Sequence, residues 1–138
     1  MNILVVGDVI LDHFVSGSVD KVSPEAPVPV LKYTNEYFKL GGAANVAANI
    51  ASLSGVRTNL LGIYGQDPNA KQLSSLLNDN NINNLLINDE DYPTITKTRF
   101  ICKNNGKQQL LRLDHEKNTV SNTSLLKLEE KFRAEILT

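Results

Sequence analysis

Apolar residues in this chain fall into short runs separated by glycine, proline and asparagine, joined by longer stretches with helical spacing. Residues 3–6 (Ile-Leu-Val-Val) form a continuous apolar run ended by Gly7-Asp8, the pattern of a parallel strand buried on both faces. Residues 14–19 and 28–33 read as shorter strands. Pro24, Pro27 and Pro29 place that segment at an edge or in a projecting flap, because proline cannot complete an interior ladder. The run of small apolar residues at 43–53, following Gly41-Gly42, predicts a helix buried on most sides. Residues 58–63 predict another strand. Asp67-Pro68 then supplies an N-cap before a proline at the first helical position, starting a helix that reaches about residue 80 through Leu73, Leu76 and Leu77.

Residues 85–87 give a further short strand. Residues 94–102 and 107–113 are strand-like, and Asn105-Gly106 between them signals a type I′ hairpin. Leu125, Leu128, Phe132 and Ile136 recur at helical spacing and predict an amphipathic helix from about Asn122. Strands alternating with helices around an inserted hairpin predict an α/β fold.

Composition narrows the function classes. A chain of 138 residues suffices for one modest domain with a core. A net charge of -1 with 21% charged residues favours neither nucleic acid nor an anionic membrane as partner. No apolar stretch is long enough to cross a bilayer, and the first residues lack the basic lead of a secretory signal. A cytoplasmic protein is expected. The single cysteine, Cys102, excludes an internal disulfide and reads as a small core residue, and no Cys/His cluster suggests a metal site.

The strongest candidate chemistry lies at Gly41-Gly42-Ala43-Ala44-Asn45. Paired glycines let the backbone turn sharply and leave no Cβ to block a ligand. The helix start beyond them presents unpaired N–H groups and a partial positive charge, suited to hydroxyl or phosphate oxygens. Asn45 adds a side chain that both donates and accepts. A tight turn followed by close helix packing gives the same local pattern, so the motif alone leaves both readings open.

Three segments in order, Gly7-Asp8-Val9-Ile10-Leu11-Asp12, Ser23-Pro24-Glu25-Ala26-Pro27-Val28-Pro29-Val30 and Gly41-Gly42-Ala43-Ala44-Asn45-Val46-Ala47, resemble the start of a ribokinase-like carbohydrate kinase. Pro93-Thr94-Ile95-Thr96-Lys97-Thr98-Arg99 and Gln108-Gln109-Leu110-Leu111-Arg112-Leu113-Asp114 narrow the resemblance to the heptose-7-phosphate kinase domain of bifunctional heptose kinase/adenylyltransferases. The resemblance fades after about Glu116. It implies the N-terminal part of a three-layer α/β fold with a small projecting β flap at about residues 12–40, which in relatives often pairs with another subunit to form a homodimer. It also implies transfer of the γ-phosphate of ATP to the anomeric hydroxyl of heptose 7-phosphate.

Carried onto this chain, the resemblance makes Asp12 an acceptor for sugar hydroxyls, with Gly41, Gly42 and Asn45 beside it. Lys97 and Arg99 alternate along a strand, so they share one face, and the resemblance makes that face a grip on the substrate phosphate. Gln109 and Arg112 continue the same polar surface, and Glu25 in the flap is placed to reach a sugar hydroxyl or a partner subunit. Asp8 and Asp114 read as turn- or strand-closing residues, and His13 and His115 as surface or flap residues. In relatives the ATP and Mg²⁺ sites come from the second half of the domain, where a glycine-rich motif ends in the catalytic aspartate. After Gly106 this chain has no glycine. No catalytic base, metal ligand or ATP site is therefore assigned, and the chain is expected to be inactive alone, with an exposed sheet edge and an exposed apolar helix face. Rival readings are another ribokinase-like sugar or nucleoside kinase, and a non-catalytic sugar-phosphate-binding or dimerisation module.

Overall fold

The computed structural model describes residues 1–53 and 55–137. In chain order the first half comprises β1 (Asn2–Val6), β2 (Val9–Val22), β3 (Pro29–Gly42), α1 (Ala43–Ala51), β4 (Arg57–Leu61) and β5 (Ile63–Tyr64). The second half comprises α2 (Pro68–Asp79), β6 (Ile82–Asn84), β7 (Ile87–Asn88), β8 (Thr96–Cys102), β9 (Gln108–His115) and α3 (Asn122–Ile136).

β1, β4 and β6 form a parallel sheet in the order β1-β4-β6. Gly62 interrupts β4, which resumes as β5 and pairs in parallel with β7. Parallel neighbours need a crossover, and α1 and α2 supply it. α1 packs on β1, β3 and β4, and α2 on β3 and β6. Val9, Leu11, Leu40, Ala44, Ala47, Leu60, Leu73, Leu77, Ile82 and Leu86 make the buried core between them. The start of α2 follows the sequence reading: Asp67 accepts the Ala70 amide at 2.9 Å, and its second oxygen accepts the Thr94 amide at 2.8 Å, tying α2 to the approach to β8.

The flap is larger than residues 12–40. It is a four-stranded sheet, β3-β2-β8-β9, in which β2 pairs antiparallel with β3 and parallel with β8. The inserted hairpin therefore belongs to the flap. The two strands expected at 14–19 and 28–33 are 14-residue strands, because β3 also uses the polar stretch up to Gly42. Of the strand expected at 85–87 only Ile87 is in a strand, β7; residues 85 and 86 form the link from β6.

Three local expectations are corrected. α1 is buried on one side only: Ala44 and Ala47 face the core while Val46 is 50% exposed. The turn between β8 and β9 is a five-residue loop, 103–107, and not type I′, since Gly106 alone in it has a positive φ. Asn104 explains the wider loop, because its side chain bonds both the amide (2.9 Å) and the carbonyl (2.6 Å) of Val19. Cys102 is not a core residue; it is half-buried at the far end of β8, beside Asn104.

The apolar stripe of α3 is largely uncovered, with Leu125, Phe132 and Ile136 exposed. Its start is fixed by Asp89, only 6% exposed, whose carboxylate accepts the Ser121 hydroxyl at 2.8 Å. Hydrogen bonding from Ser124 and then Ser121 holds the Asp89 carboxyl below its ordinary value of 3.8, against the opposing effect of burial. Among the described residues no helix is long and apolar enough to cross a membrane.

Two predictions follow from these contacts. Gly42 has φ 55°, and a Cβ there would lie 2.4 Å from the Asp8 carbonyl oxygen. At Gly106, φ is 98° and nothing lies within 4 Å of such a Cβ. In urea denaturation Gly106→Ala is expected to cost about 1–2 kcal/mol for its left-handed backbone. Gly42→Ala should cost about 1–3 kcal/mol more for the added clash; equal losses would mean that the Asp8 contact imposes no constraint. Asp89 has a lowered folded pKa, so its contribution is full above pH 3.8 and is lost as the pH falls through the folded value. The stability gap between wild type and Asp89→Asn should accordingly be wide at neutral pH and close in acid.

Candidate functional site

Period-two geometry divides the flap sheet into two faces. Val9 and Leu11 of β2 are buried in the core, so Ile10, Asp12 and Phe14 project from the other side. Residues paired across strands share a face. Asp12 lies opposite Lys39 of β3 on one side and Lys97 of β8 on the other. Phe14 lies between Tyr37 and Arg99. Farther out, Asp114 and Arg112 of β9 stand beside Lys97 and Arg99.

Asp12 is thus in β2, on the flap, a few residues beyond the end of β1. Arg99 Nη1 donates to Asp12 Oδ1 at 2.6 Å, with the two side chains 22% and 21% exposed. Such a charge-assisted bond fixes the carboxylate more firmly than an ordinary surface pair. The other Asp12 oxygen leans over Gly41, where a Cβ would lie 2.5 Å from Oδ2. A side chain at Gly41 would therefore push the carboxylate from the place where it meets Arg99. Phe14 and Tyr37 stack with centroids 4.8 Å apart, and the Arg99 guanidinium lies 5.2 Å from the Phe14 ring.

Gly42 caps α1 without a side-chain hydrogen bond. The Ala43 amide is already taken by the Asp8 carbonyl at 2.8 Å, so Asp8 shapes the turn through its backbone. Asn45, in the first turn, is exposed and its side chain has no hydrogen bond among the described residues. Asp12, Gly41, Lys97 and Arg99 are therefore brought together on one face, and the Gly42–Asn45 helix start continues directly from Gly41.

Other candidates separate from this group. Arg112 shares the face but is held by Asp114 through bonds of 2.8 and 2.9 Å, so Asp114 binds its neighbour where strand closure was expected. Gln109 is exposed near the start of β9. Glu25 lies in the exposed loop beyond β2 and is not at the site: the ten residues from Asp12 to the strand end at Val22 cover about 30 Å. His13 is on the opposite face, stacked on Phe38 at 4.3 Å and paired with Glu36. His115 is exposed in β9, remote from the glycine pair.

Lys39 was missed by sequence reading. It stands two residues before Gly41, and period two would have found it had β3 been recognised as continuing to Gly42. Its ammonium lies 5.6 Å from the Tyr37 ring and 5.9 Å from the Phe14 ring. A cleft of about 750 Å³ lies elsewhere, between Tyr64–Pro68, Lys71, Ser74 and Asn88. Among the described residues no group of three or more His, Cys, Asp or Glu is placed to hold a metal ion.

Comparison with known proteins agrees with this architecture. The chain is 47% identical over 135 residues to the bifunctional protein HldE of Actinobacillus pleuropneumoniae serotype 5b (strain L20), covering 96% of this chain and 28% of that protein. It is 48% identical over 133 residues to the bifunctional protein HldE of Blochmanniella pennsylvanica (strain BPEN), covering 95% of this chain and 27% of that protein. The chain thus spans little more than a quarter of these curated relatives. Among solved structures it is similar to a putative phosphofructokinase from Staphylococcus aureus, with TM-score 0.73 and 17% identity, covering 95% of this chain and 39% of that one. The phosphofructokinase-2 of Escherichia coli in complex with fructose-6-phosphate gives TM-score 0.67 and 22% identity, covering 95% and 40%. These likenesses show the mixed α/β ribokinase-like fold. With residues 2–136 matching the pfkB family carbohydrate kinase, the chain belongs to that family.

Proposed function

We propose that this chain is the sugar-binding part, residues 1–138, of a cytoplasmic ATP-dependent heptose-7-phosphate kinase. The product would be heptose 1,7-bisphosphate, for ADP-heptose and lipopolysaccharide core synthesis. The observation that carries the reading is the Asp12 carboxylate, lying over Gly41 and between the cations of neighbouring strands. A carboxylate offers several acceptor positions to adjacent hydroxyls, and cations on the same face suit a phosphorylated sugar. In this reading Asp12, Gly41, Gly42 and Asn45 hold the sugar, while Lys97 and Arg99 meet its phosphate. Arg112 borders the site, and Glu25 serves only a partner subunit. ATP and Mg²⁺, which supply the transferred phosphoryl group and its charge neutralisation, are assigned to residues outside this chain. No residue of this chain is assigned as a Mg²⁺ ligand, and no step is assigned to the metal. The chain alone is therefore expected to bind but not to phosphorylate.

A homodimer through the flap forms part of the proposal. Its support is the outer flap face, where Tyr33, Leu111 and Leu113 are exposed beside a groove of about 360 Å³ lined by Val28, Pro29, Leu31, Phe100, Leu110 and Leu111. In sedimentation, Leu111→Glu should shift the chain from dimer to monomer; an unchanged dimer would remove the flap as the interface.

Calorimetric titration tests the sugar site. Asp12→Asn is expected to weaken heptose 7-phosphate and unphosphorylated heptose alike, by about 10- to 100-fold for loss of charged hydrogen bonds. Lys97→Gln should weaken only the phosphorylated sugar, by about tenfold. Adenosine binding that ignores the Lys97 change would replace the heptose reading with a nucleoside one.

A further inference from the structure

The charges around Asp12 do not balance, and the imbalance is confined to two residues. Lys39, Lys97, Arg99 and Arg112 share the face with only two carboxylates, Asp12 and Asp114. Both carboxylates are taken by arginines: Asp12 by Arg99 at 2.6 Å and Asp114 by Arg112 in a bidentate pair. Among the described residues neither Lys39 nor Lys97 has an ion pair or side-chain hydrogen bond. The two lysines flank Asp12 from either side, one strand away each, so their Cα atoms are about 10 Å apart. Flexible four-carbon stems can close that gap onto one ligand group. Lys39 also rests against the stacked Tyr37 and Phe14 rings, which keep its stem on this face.

We propose that Lys39 and Lys97 together grip the phosphate of the sugar, while Arg99 acts as a positioning residue that orients the Asp12 carboxylate. The inference rests on the heptose-phosphate reading and reassigns one of its contacts. A phosphate monoester carries about −1.5 to −2 at neutral pH, which two unneutralised ammonium groups match. Arg99 is already committed to Asp12, and moving it to the phosphate would leave that carboxylate beside Gly41 without its cation.

The test is titration of the 138-residue chain with heptose 7-phosphate and with heptose, for wild type, Lys39→Gln, Lys39→Arg, Lys97→Gln and Arg99→Gln. Lys39→Gln is expected to weaken the phosphorylated sugar about tenfold, as Lys97→Gln does, and to leave heptose within about twofold. Lys39→Arg should recover most of the loss. Arg99→Gln should weaken both sugars, as expected of a group that acts through Asp12. If Lys39→Gln leaves heptose 7-phosphate binding unchanged while Lys97→Gln weakens it, the Lys39 assignment falls and the heptose reading stands. Equal weakening of both sugars by Lys39→Gln would also overturn the assignment, since the loss would then be structural. Failure of the wild-type chain to bind either sugar would remove both the inference and the reading beneath it.

Discussion

β2 runs from the core out into the middle of the flap sheet, and its register decides where the candidate groups around Asp12 point. Its first residues, Val9 and Leu11, are locked into the core with Leu40 and Leu60, while the strand continues outward between β3 and β8. Because side chains alternate, burying Val9 and Leu11 obliges Asp12 to project from the opposite face. A slip of one residue would drive the Asp12 carboxylate toward the core and expose Leu11. Desolvating an unpaired carboxylate costs several kcal/mol, of order the whole stability of a domain this size, so the register is strongly specified. The parallel bond from the Leu11 amide to the Ile95 carbonyl, 2.8 Å, then fixes β8 against β2 and brings Arg99 within reach of Asp12.

Local charge, not net charge, governs what this face can bind. The chain as a whole carries -1, yet the face around Asp12 holds an excess of cations. Exposed charges more than about 8 Å apart are largely screened at physiological salt, so the remaining acidic residues of the chain do little to offset that excess. The arginines, with planar forks suited to carboxylates, are spent in fixed pairs; the lysines, with flexible point charges, remain open. This division separates groups that hold the site's geometry from groups that can meet a ligand.

Local chemistry was legible in the sequence, whereas pairing between distant segments was not. Asp67-Pro68 announced α2 because an N-cap and a proline at the first helical position act within one turn. Gly41-Gly42 announced a tight approach, and the structure supplies the partners, Asp12 and the Asp8 carbonyl. The sharing of a face by Lys97 and Arg99 followed from period two alone. The parallel pairing of β2 with β8 joins residues more than 80 positions apart, and no short pattern encodes it. Polar residues such as Asn35, Glu36 and Lys39 hid the length of β3, since a flap strand with one solvated face need not look apolar. The same blindness concealed Lys39. The turn at Asn105-Gly106 was misread for a similar reason: Asn104, bonded to Val19 on another strand, outweighs the local preference.

The register that turns cations inward also turns Leu111 and Leu113 outward, so the flap sheet has one charged face and one exposed apolar face. β9 is exposed along its whole length and pairs only with β8, leaving the outermost strand of the sheet held from one side. A sheet edge of that kind opens more readily than a core strand, and opening it would release Arg112 and Asp114 from beside Arg99 and Lys97. A second apolar surface seated on Leu111 and Leu113 would remove their area from water at about 25 cal/mol per Å² and hold β9 in place. Covering the outer face therefore acts on the inner one: it contributes no group to the site, but it reduces the motion of the strands that carry the cations. Under the proposed reading, association through the flap and sugar-phosphate binding would be coupled, because both would draw on the order of the same four strands.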